Sequence, residues 1–375
     1  MSKYTLRGSS ELDARIDADM ARIAAVVGDS HFGPLYRAVI LIGGYGRGEG
    51  TPFLVNGRQV PFNDYDLVVV SRALGRGMRA AIQADLRGLE ARLTAELKLP
   101  VDLCLYPQNV LRKAEFSLLN YEMRHGHRVV MGEPDIVREM PDYPHGRIPL
   151  SEGTRLLLNR GKLLLDIRRA LRAKSTFTPE ERIRTIKFLF KALLAFGDCA
   201  LLIKGAYDIL YSVKKDRIAA AADGAPDPAF LIEGFRRAIA FKEWGDYSSL
   251  ENEAWREEFE KIRDYYVRFF LWYEGRRLGA AVSAPGDYKR ALASAGRECG
   301  RGKALLVNLY LFRSKAFGCG IGFLGVHPRA RLYMALPGLL GEAFPASELR
   351  AILAAPSEER EAIEAQFYRL QKRLS

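Results

Sequence analysis

Three aspartates and a glycine cluster are the residues whose types and spacing could do chemistry in this chain. Asp64 and Asp66 stand two residues apart in DYDLVVV, Asp64–Val70, and Asp102 stands between Val101 and Leu103 in LPVDLCLYP. If both runs are strands, the side-chain period of two puts the Asp64 and Asp66 carboxylates on one face. Three carboxylates on neighbouring strands can hold a divalent cation. Mg²⁺ prefers oxygen ligands and commonly takes one or two carboxylates together with substrate phosphates. Two such ions clamp the attacking and leaving oxygens of an in-line phosphoryl or nucleotidyl displacement. Without a cation, like charges on one face repel. The glycine cluster is the other half: LIGGYGRGEG, Leu41–Gly50, has five glycines in ten residues. Backbone N–H groups of Gly43 and Gly44 can point at phosphate oxygens, and a helix starting there adds the positive end of its dipole. Arg47 would add a charge-assisted contact. The plain alternatives are a ligand-free turn for the glycines and solvated or lysine-paired strand positions for the acids.

Other phosphate and metal motifs fall short. A dinucleotide G-x-G-x-x-G needs glycine where Glu49 stands. A P-loop ending at Gly302-Lys303 would need its first glycine at Arg297 and a Ser/Thr at Ala304. GCGIGFLG, Gly318–Gly325, also misses the dinucleotide spacing and reads as a close-packed turn or strand pair. His125 and His127 lack an evident third ligand and read as exposed or helix-capping residues. Cys104, Cys199, Cys299 and Cys319 are scattered with no C-x-x-C pair, which argues against a zinc site or a disulfide framework.

The elements that must position the acids follow from periodicity. Residues 10–27 read as a leading helix, with Leu12, Ile16, Met20, Ile23 and Val26 at helical spacing. Tyr36–Gly43 reads as a buried strand ahead of the glycines. Asn56-Gly57 between two short apolar flanks signals a hairpin. The strand of Asp64 follows, then an amphipathic helix from Met78, the strand of Asp102, a helix over 115–125 and a short strand HRVVMG. This alternation predicts an α/β domain with a sheet. From about Ser151 the pattern turns helical. Thr178, Pro179 and Glu181 form a capping-box signature, and 254–274 is a helix rich in aromatic residues. A Gly/Ala/Ser-rich stretch after it reads as linker-like, and a last helix begins near Ser357.

A strand, then Gly-Gly, then Asp-x-Asp, then a third acid on a later strand resembles the polymerase-β-like nucleotidyltransferase superfamily. The segment GGYGRGE is most similar to the protein-PII uridylyltransferases. The resemblance spans about residues 36–106. It implies that Gly43 and Gly44 contact the triphosphate, that Asp64, Asp66 and Asp102 bind Mg²⁺ (two ions, with Mn²⁺ as the substitute), and that Asp102 helps deprotonate the acceptor. It implies an α/β (α+β) nucleotidyltransferase domain with a mixed sheet over 1–148. A mainly α-helical domain follows over 149–275, then a C-terminal extension over 276–375, linker-like at first and then mixed or helical. Lys187 and Lys191, with Asp198 on the same stripe, would neutralise triphosphate from the helical domain; a solvated lysine ladder is the plainer reading. Tyr207 and Tyr211 could stack on a base, though core packing is the simpler role. Nineteen residues separate Gly44 from Asp64, longer than the family spacing, and the Asn56-Gly57 hairpin accounts for the excess. No His-Asp pair of an HD domain and no sensor domains follow, so the PII substrate does not carry over.

The chain has 375 residues, enough for more than one domain, with 48% hydrophobic residues and a formal net charge of +12. The positive charge favours polyanions without choosing among them. The N-terminus lacks the apolar core of a signal peptide, and no run of about 18 apolar residues occurs. The expectation is a cytoplasmic, ATP- or NTP-using transferase with no membrane partner. It would move an NMP to a small-molecule or protein hydroxyl and release pyrophosphate. The alternatives are a non-catalytic nucleotide-binding regulatory protein, and an RNA-directed nucleotidyltransferase or RNA-binding protein.

Overall fold

A continuous buried apolar run in the strand Tyr65–Ser71 and alternating burial in the strand Val101–Pro107 decide how the acids are presented. The computed structural model describes residues 2–246, 250, 253–283, 285–295, 300–341 and 344–374. Cys299 lies outside them. The first elements are helices α1 (Ser10–Gly28), α2 (Gly43–Arg47), α3 (Arg76–Leu97), α4 (Gln108–Leu111) and α5 (Leu118–His125), and strands β1 (Tyr36–Leu41), β2 (Pro52–Val55), β3 (Arg58–Pro61), β4 (Tyr65–Ser71), β5 (Val101–Pro107) and β6 (Arg128–Gly132). Four strands form a mixed sheet in the order β5-β4-β1-β6, with β1 antiparallel to both neighbours and β4 parallel to β5. The parallel pair needs a crossover, and α3 is that connection. Val39 and Leu41 of β1, Leu67 and Val69 of β4, and Val101, Leu103 and Leu105 of β5 share a core with Leu12, Ile16, Met20 and Ile23 of α1 and Ile82, Leu86 and Leu93 of α3. One sheet face is therefore committed to this core, and the residues between these positions point to the other.

The expected hairpin is present. β2 and β3 form a separate two-stranded sheet around Asn56 (φ 51°) and Gly57 (φ 78°), the two positive angles of a tight I′-type turn. Its two ends are tied at one buried phenol. Tyr45 donates its hydroxyl to the Thr51 carbonyl at 3.1 Å and accepts the N–H groups of Phe62 at 2.9 Å and Asn63 at 3.4 Å. Asn63 Nδ2 also donates to Thr51 Oγ1 at 3.0 Å. Gly50 leaves room for the Tyr45 ring, since a Cβ there would meet it at 2.1 Å.

The helical part comprises α6 (Leu150–Ala173), α7 (Pro179–Ile203), α8 (Tyr211–Ala221), α9 (Pro228–Trp244), α10 (Ala254–Leu278), α11 (Pro285–Ala295), α12 (Arg301–Phe312), α13 (Ala330–Gly341), α14 (Ala346–Leu353) and α15 (Arg360–Leu374). The capping box at Thr178 and Glu181 is formed, with Pro179 in the first turn of α7. The chain divides into two compact units. The first is Met1–Pro149, Gly205–Arg217 and Arg236–Tyr247; the second is Leu150–Lys204, Ile218–Phe235 and Ser248–Ser375. In the second unit α6, α7, α10 and α13 pack on one another around aromatic residues such as Phe196, Tyr266 and Phe269.

The linker-like stretch is corrected by the structure: it carries α11. Tyr288 and Leu292 lie one turn apart and are buried, and the Tyr288 hydroxyl donates to the buried Glu274 carboxylate at 2.7 Å. Alanine content that suggests a linker also favours helix, and these two anchors supply the burial that decides it. GCGIGFLG forms 3-10 turns, Arg313–Cys319 and Ile321–Gly325, and not a strand pair.

Tyr45→Phe removes the acceptor of two backbone N–H groups at the hairpin's return. We expect it to cost about 1–3 kcal/mol, the penalty for leaving a buried donor unsatisfied. Equilibrium urea unfolding measures this, and an unchanged midpoint would contradict the bracketing role.

Candidate active site

Parallel pairing sets Asp66 of β4 opposite Asp102 of β5 in register. Leu67 and Val69, and Val101, Leu103 and Leu105, face the core, so Asp66 and Asp102 project from the opposite face. Asp64 sits one residue before β4. The three residues each offer a carboxylate oxygen, and these oxygens lie within 4.8 Å of one another. Asp64 and Asp66 are half-buried and Asp102 is exposed. Among the described residues this is the one group of three or more acidic, histidine or cysteine side chains so arranged. Tyr65, between the first two acids, is fully buried on the core side. Its hydroxyl donates to Asp19 Oδ2 of α1 at 2.9 Å, which fixes the strand's rotation.

Gly43 opens α2 directly beside the acids. Its φ of 67° lies in the left-handed region, and a Cβ there would meet Asp66 Oδ2 at 2.7 Å. The backbone angle favours glycine, and any Cβ there would displace the Asp66 carboxylate. Gly44 follows within the first turn of α2, where helical N–H groups have no partner inside the helix. The site thus has a carboxylate cluster and, against one of its members, a turn of backbone donors.

Arg47 is placed elsewhere than a phosphate contact would require. Its guanidinium is buried, and Nη1 donates to Glu122 Oε2 of α5 at 2.7 Å. Burial works against the Arg47 charge, but Glu122, Tyr211, Tyr207 and Glu49 together outweigh it and raise the arginine pKa further. Glu122 also accepts the Tyr207 hydroxyl. Burial pushes the Glu122 carboxyl up, but Arg47, Lys214 and the Tyr207 hydrogen bond outweigh it and hold the group below its ordinary pKa of 4.5. Glu49 is buried too, and both of its oxygens accept the Tyr211 N–H, at 2.9 and 3.0 Å, at the start of α8. A carboxylate there also meets the favourable end of the helix dipole. Burial raises the Glu49 pKa against the opposing Tyr211 N–H, Arg47 and Lys214. Lys214, fully buried, places its ammonium 4.0 Å from the Tyr207 ring centroid and 4.5 Å from that of Tyr211, a cation–π arrangement. Tyr207 and Tyr211 are thus packing residues, and Glu122 and Lys214 are charged partners around the glycine segment that sequence reasoning missed. Their only signal was a pair of charges, Arg47 and Glu49, inside a glycine run.

The remaining candidates stand on other elements. Lys187 and Lys191 are half-buried on α7 in the second unit, one turn apart. His125 and His127 are partly buried at the end of α5, and the His125 ring lies 4.9 Å from that of His145. Burial, then His145, lowers the His125 pKa. Among the described residues no helix is long and apolar enough to cross a membrane.

A solved structure of spectinomycin adenyltransferase from Enterococcus faecialis, determined with ATP and spectinomycin, is similar over 66% of this chain and 98% of that one, at 12% identity and a TM-score of 0.36. No protein-family model matches the chain, and no curated protein matches it significantly.

The depressed Glu122 pKa gives a pH signature. Its stabilisation is complete above its unfolded pKa of 4.5 and is lost as pH falls through the lower folded value. Glu49, shifted upward, acts with the opposite sign. Glu122→Gln is expected to cost about 1.5–3 kcal/mol at neutral pH, the range for a hydrogen bond to a charged group, and to flatten the acid limb of the stability profile. Urea titrations from neutral pH to below pH 4.5 check this; parallel profiles would refute it.

Proposed function

We propose that this chain is a divalent-metal-dependent nucleotidyltransferase of the polymerase-β-like kind. It transfers a nucleoside monophosphate from an NTP to a hydroxyl of a small-molecule or protein acceptor and releases pyrophosphate. The observation that carries the reading is the convergence of Asp64, Asp66 and Asp102 to within 4.8 Å, with Gly43 packed against Asp66.

The donor set fits a hard dication. All three side chains offer oxygen, and Mg²⁺ or Mn²⁺ is the cation class that carboxylate oxygens suit. Gathered like charges favour such an ion electrostatically. Asp64, Asp66 and Asp102 are the residues that would hold it. Bound there, it would offset charge on the phosphoryl oxygens and activate the attacking hydroxyl. The protein's own part is positioning. Gly43 and Gly44 present backbone N–H groups to the β- and γ-phosphates, which keeps the α-phosphorus over the acids. The acceptor oxygen forms a bond to the α-phosphorus, and the bond from that phosphorus to the bridging oxygen breaks. Pyrophosphate leaves with that electron pair, and Asp102, the exposed member, accepts the hydroxyl proton. Fixed donors and acids supply stabilisation without reorganisation during the reaction. Arg47 in this reading touches no phosphate; through Glu122 it braces the helix that Gly43 opens.

Incubation with each α-labelled NTP, Mg²⁺ and a cell extract identifies the base and the acceptor class. Asp64→Ala with Asp66→Ala is expected to lower NMP transfer by at least about 10²–10³-fold, the scale for losing a preorganised charge-stabilising group, with an unchanged circular dichroism spectrum. Undiminished transfer in the double variant sinks the proposal, and NTP binding by the wild type without pyrophosphate release favours a non-catalytic nucleotide-binding protein. Gly43→Ala, which forces Asp66 to move, is expected to weaken Mn²⁺ binding in calorimetry, and wild-type affinity would contradict the role given to that turn.

A further inference from the structure

Helix α12 is apolar on both of its sides, and only one side is covered. Ala304, Asn308 and Phe312, spaced four apart, are buried. Asn308 Nδ2 donates to the Leu324 carbonyl at 3.2 Å and the Val326 carbonyl at 2.8 Å, which pins the inner side of the helix to the end of the second 3-10 turn and the residue after it. The outer side carries Leu305, Leu306, Leu309 and Tyr310, whose spacing places them on one helix face. Leu306 is 70% exposed and Tyr310 80%. Phe317 and Ile321, in the 3-10 turns that follow, are exposed as well. Six of the twelve large apolar side chains exposed among the described residues thus fall between positions 305 and 321. Such a concentration marks an interaction surface, where scattered single residues would not.

The charges around it choose the partner. Arg301, Lys303, Arg313 and Lys315 are all exposed. From Arg301 to Gly341 the sequence contains no aspartate or glutamate. We propose that this face of the second unit docks peripherally on an anionic lipid surface. Leucine, phenylalanine and isoleucine side chains enter the acyl boundary, Tyr310 sits at headgroup level, and the four cations meet lipid phosphates. At 1.5 Å per residue α12 is about 18 Å long, well short of the roughly 30 Å hydrocarbon core, so it lies in the interface and does not span. A second copy of this chain is the weaker partner. A two-fold contact through this face would set its four cations against their own equivalents. Single-stranded nucleic acid is weaker still, because the leucines offer no stacking surface. The proposal revises the expectation that no membrane takes part, and it does not depend on the proposed transferase activity.

Flotation of the full chain with phosphatidylcholine vesicles, with and without phosphatidylserine, tests it. The wild type is expected to float with the phosphatidylserine vesicles at low salt, not with phosphatidylcholine alone, and to be released as salt rises. Leu306→Glu with Tyr310→Glu, both exposed and so neutral to folding, is expected to abolish flotation while circular dichroism stays unchanged. Arg313→Gln and Lys315→Gln should each weaken binding roughly fivefold, the equivalent of about 1 kcal/mol per basic residue. Absence of flotation with phosphatidylserine vesicles, or flotation unaffected by the double variant, overturns the proposal. So does a wild-type dimer in sedimentation that the double variant dissolves, which would assign the face to a second copy.

Discussion

Three like charges gathered within 4.8 Å repel, and the first unit is built so that they cannot separate. Asp66 and Asp102 are opposite one another on parallel strands whose alternate residues, Leu67 and Val69 against Leu103 and Leu105, are buried under α1 and α3. Turning Asp102 away would turn Leu103 and Leu105 towards the exposed face of β5, and turning Asp66 away would carry its carboxylate into the apolar core. Each pair of charges at about 4 Å costs roughly 1 kcal/mol in water and 4 kcal/mol at an effective dielectric of 20. Burying one large aliphatic side chain returns about 1.5–3 kcal/mol. A handful of core residues therefore outweighs the repulsion, and Tyr65, hydrogen-bonded to Asp19 on the core side, removes the remaining rotational freedom. Carboxylate oxygens held this close form an oxygen donor set of the kind that hard dications take, which is how a stability constraint becomes a chemical one.

The glycine segment divides its residues between that site and the scaffold. Gly43 gives Asp66 its space, and Gly50 gives the Tyr45 ring its space. Arg47 and Glu49 turn to Glu122 and to the Tyr211 N–H. They hold the segment Gly205–Arg217, late in sequence, in the same unit as the early sheet. Both charges are buried, and a buried charge is tolerated only when paired. Glu122, Lys214 and two tyrosines provide those pairings. A loop rich in glycine is thereby anchored on two sides, so its conformational freedom does not reach the carboxylates.

What the sequence made legible follows from the range of each interaction. The apolar run of β4, the alternation of β5, the Asn56-Gly57 turn and the Thr178 capping box are local patterns, and each appears where its residues stand. The shared face of Asp66 and Asp102 follows in the same way, from the period of two in a strand. Arg47 was read as a phosphate ligand because its partner lies 75 positions away in α5, and Glu49 had no reading because its partner is 162 positions away. Nothing local records contacts of that span. The helix α11 was missed on different grounds: small residues fit a linker and a helix alike, and only the burial of Tyr288 and Leu292 separates them.

The long spacing between the glycines and Asp64 has a mechanical resolution in the hairpin. An insertion between two halves of a site would ordinarily add slack to both. Here β2 and β3 pair with each other, and the ends of the insertion are closed by the Phe62 N–H on the Thr51 carbonyl at 3.3 Å and by the Tyr45 hydroxyl that both ends share. Seen from the sheet, the chain leaves at Thr51 and returns at Phe62 across a single hydrogen-bonded gap. Loop-closure entropy grows only with the logarithm of length, and this closure is met by bonds outside the carboxylate cluster. The residue that closes the gap, Tyr45, belongs to the same five-residue helix that Gly43 opens. Cradle and acids are thus referenced to one rigid turn, and the length of chain between them ceases to matter for their geometry.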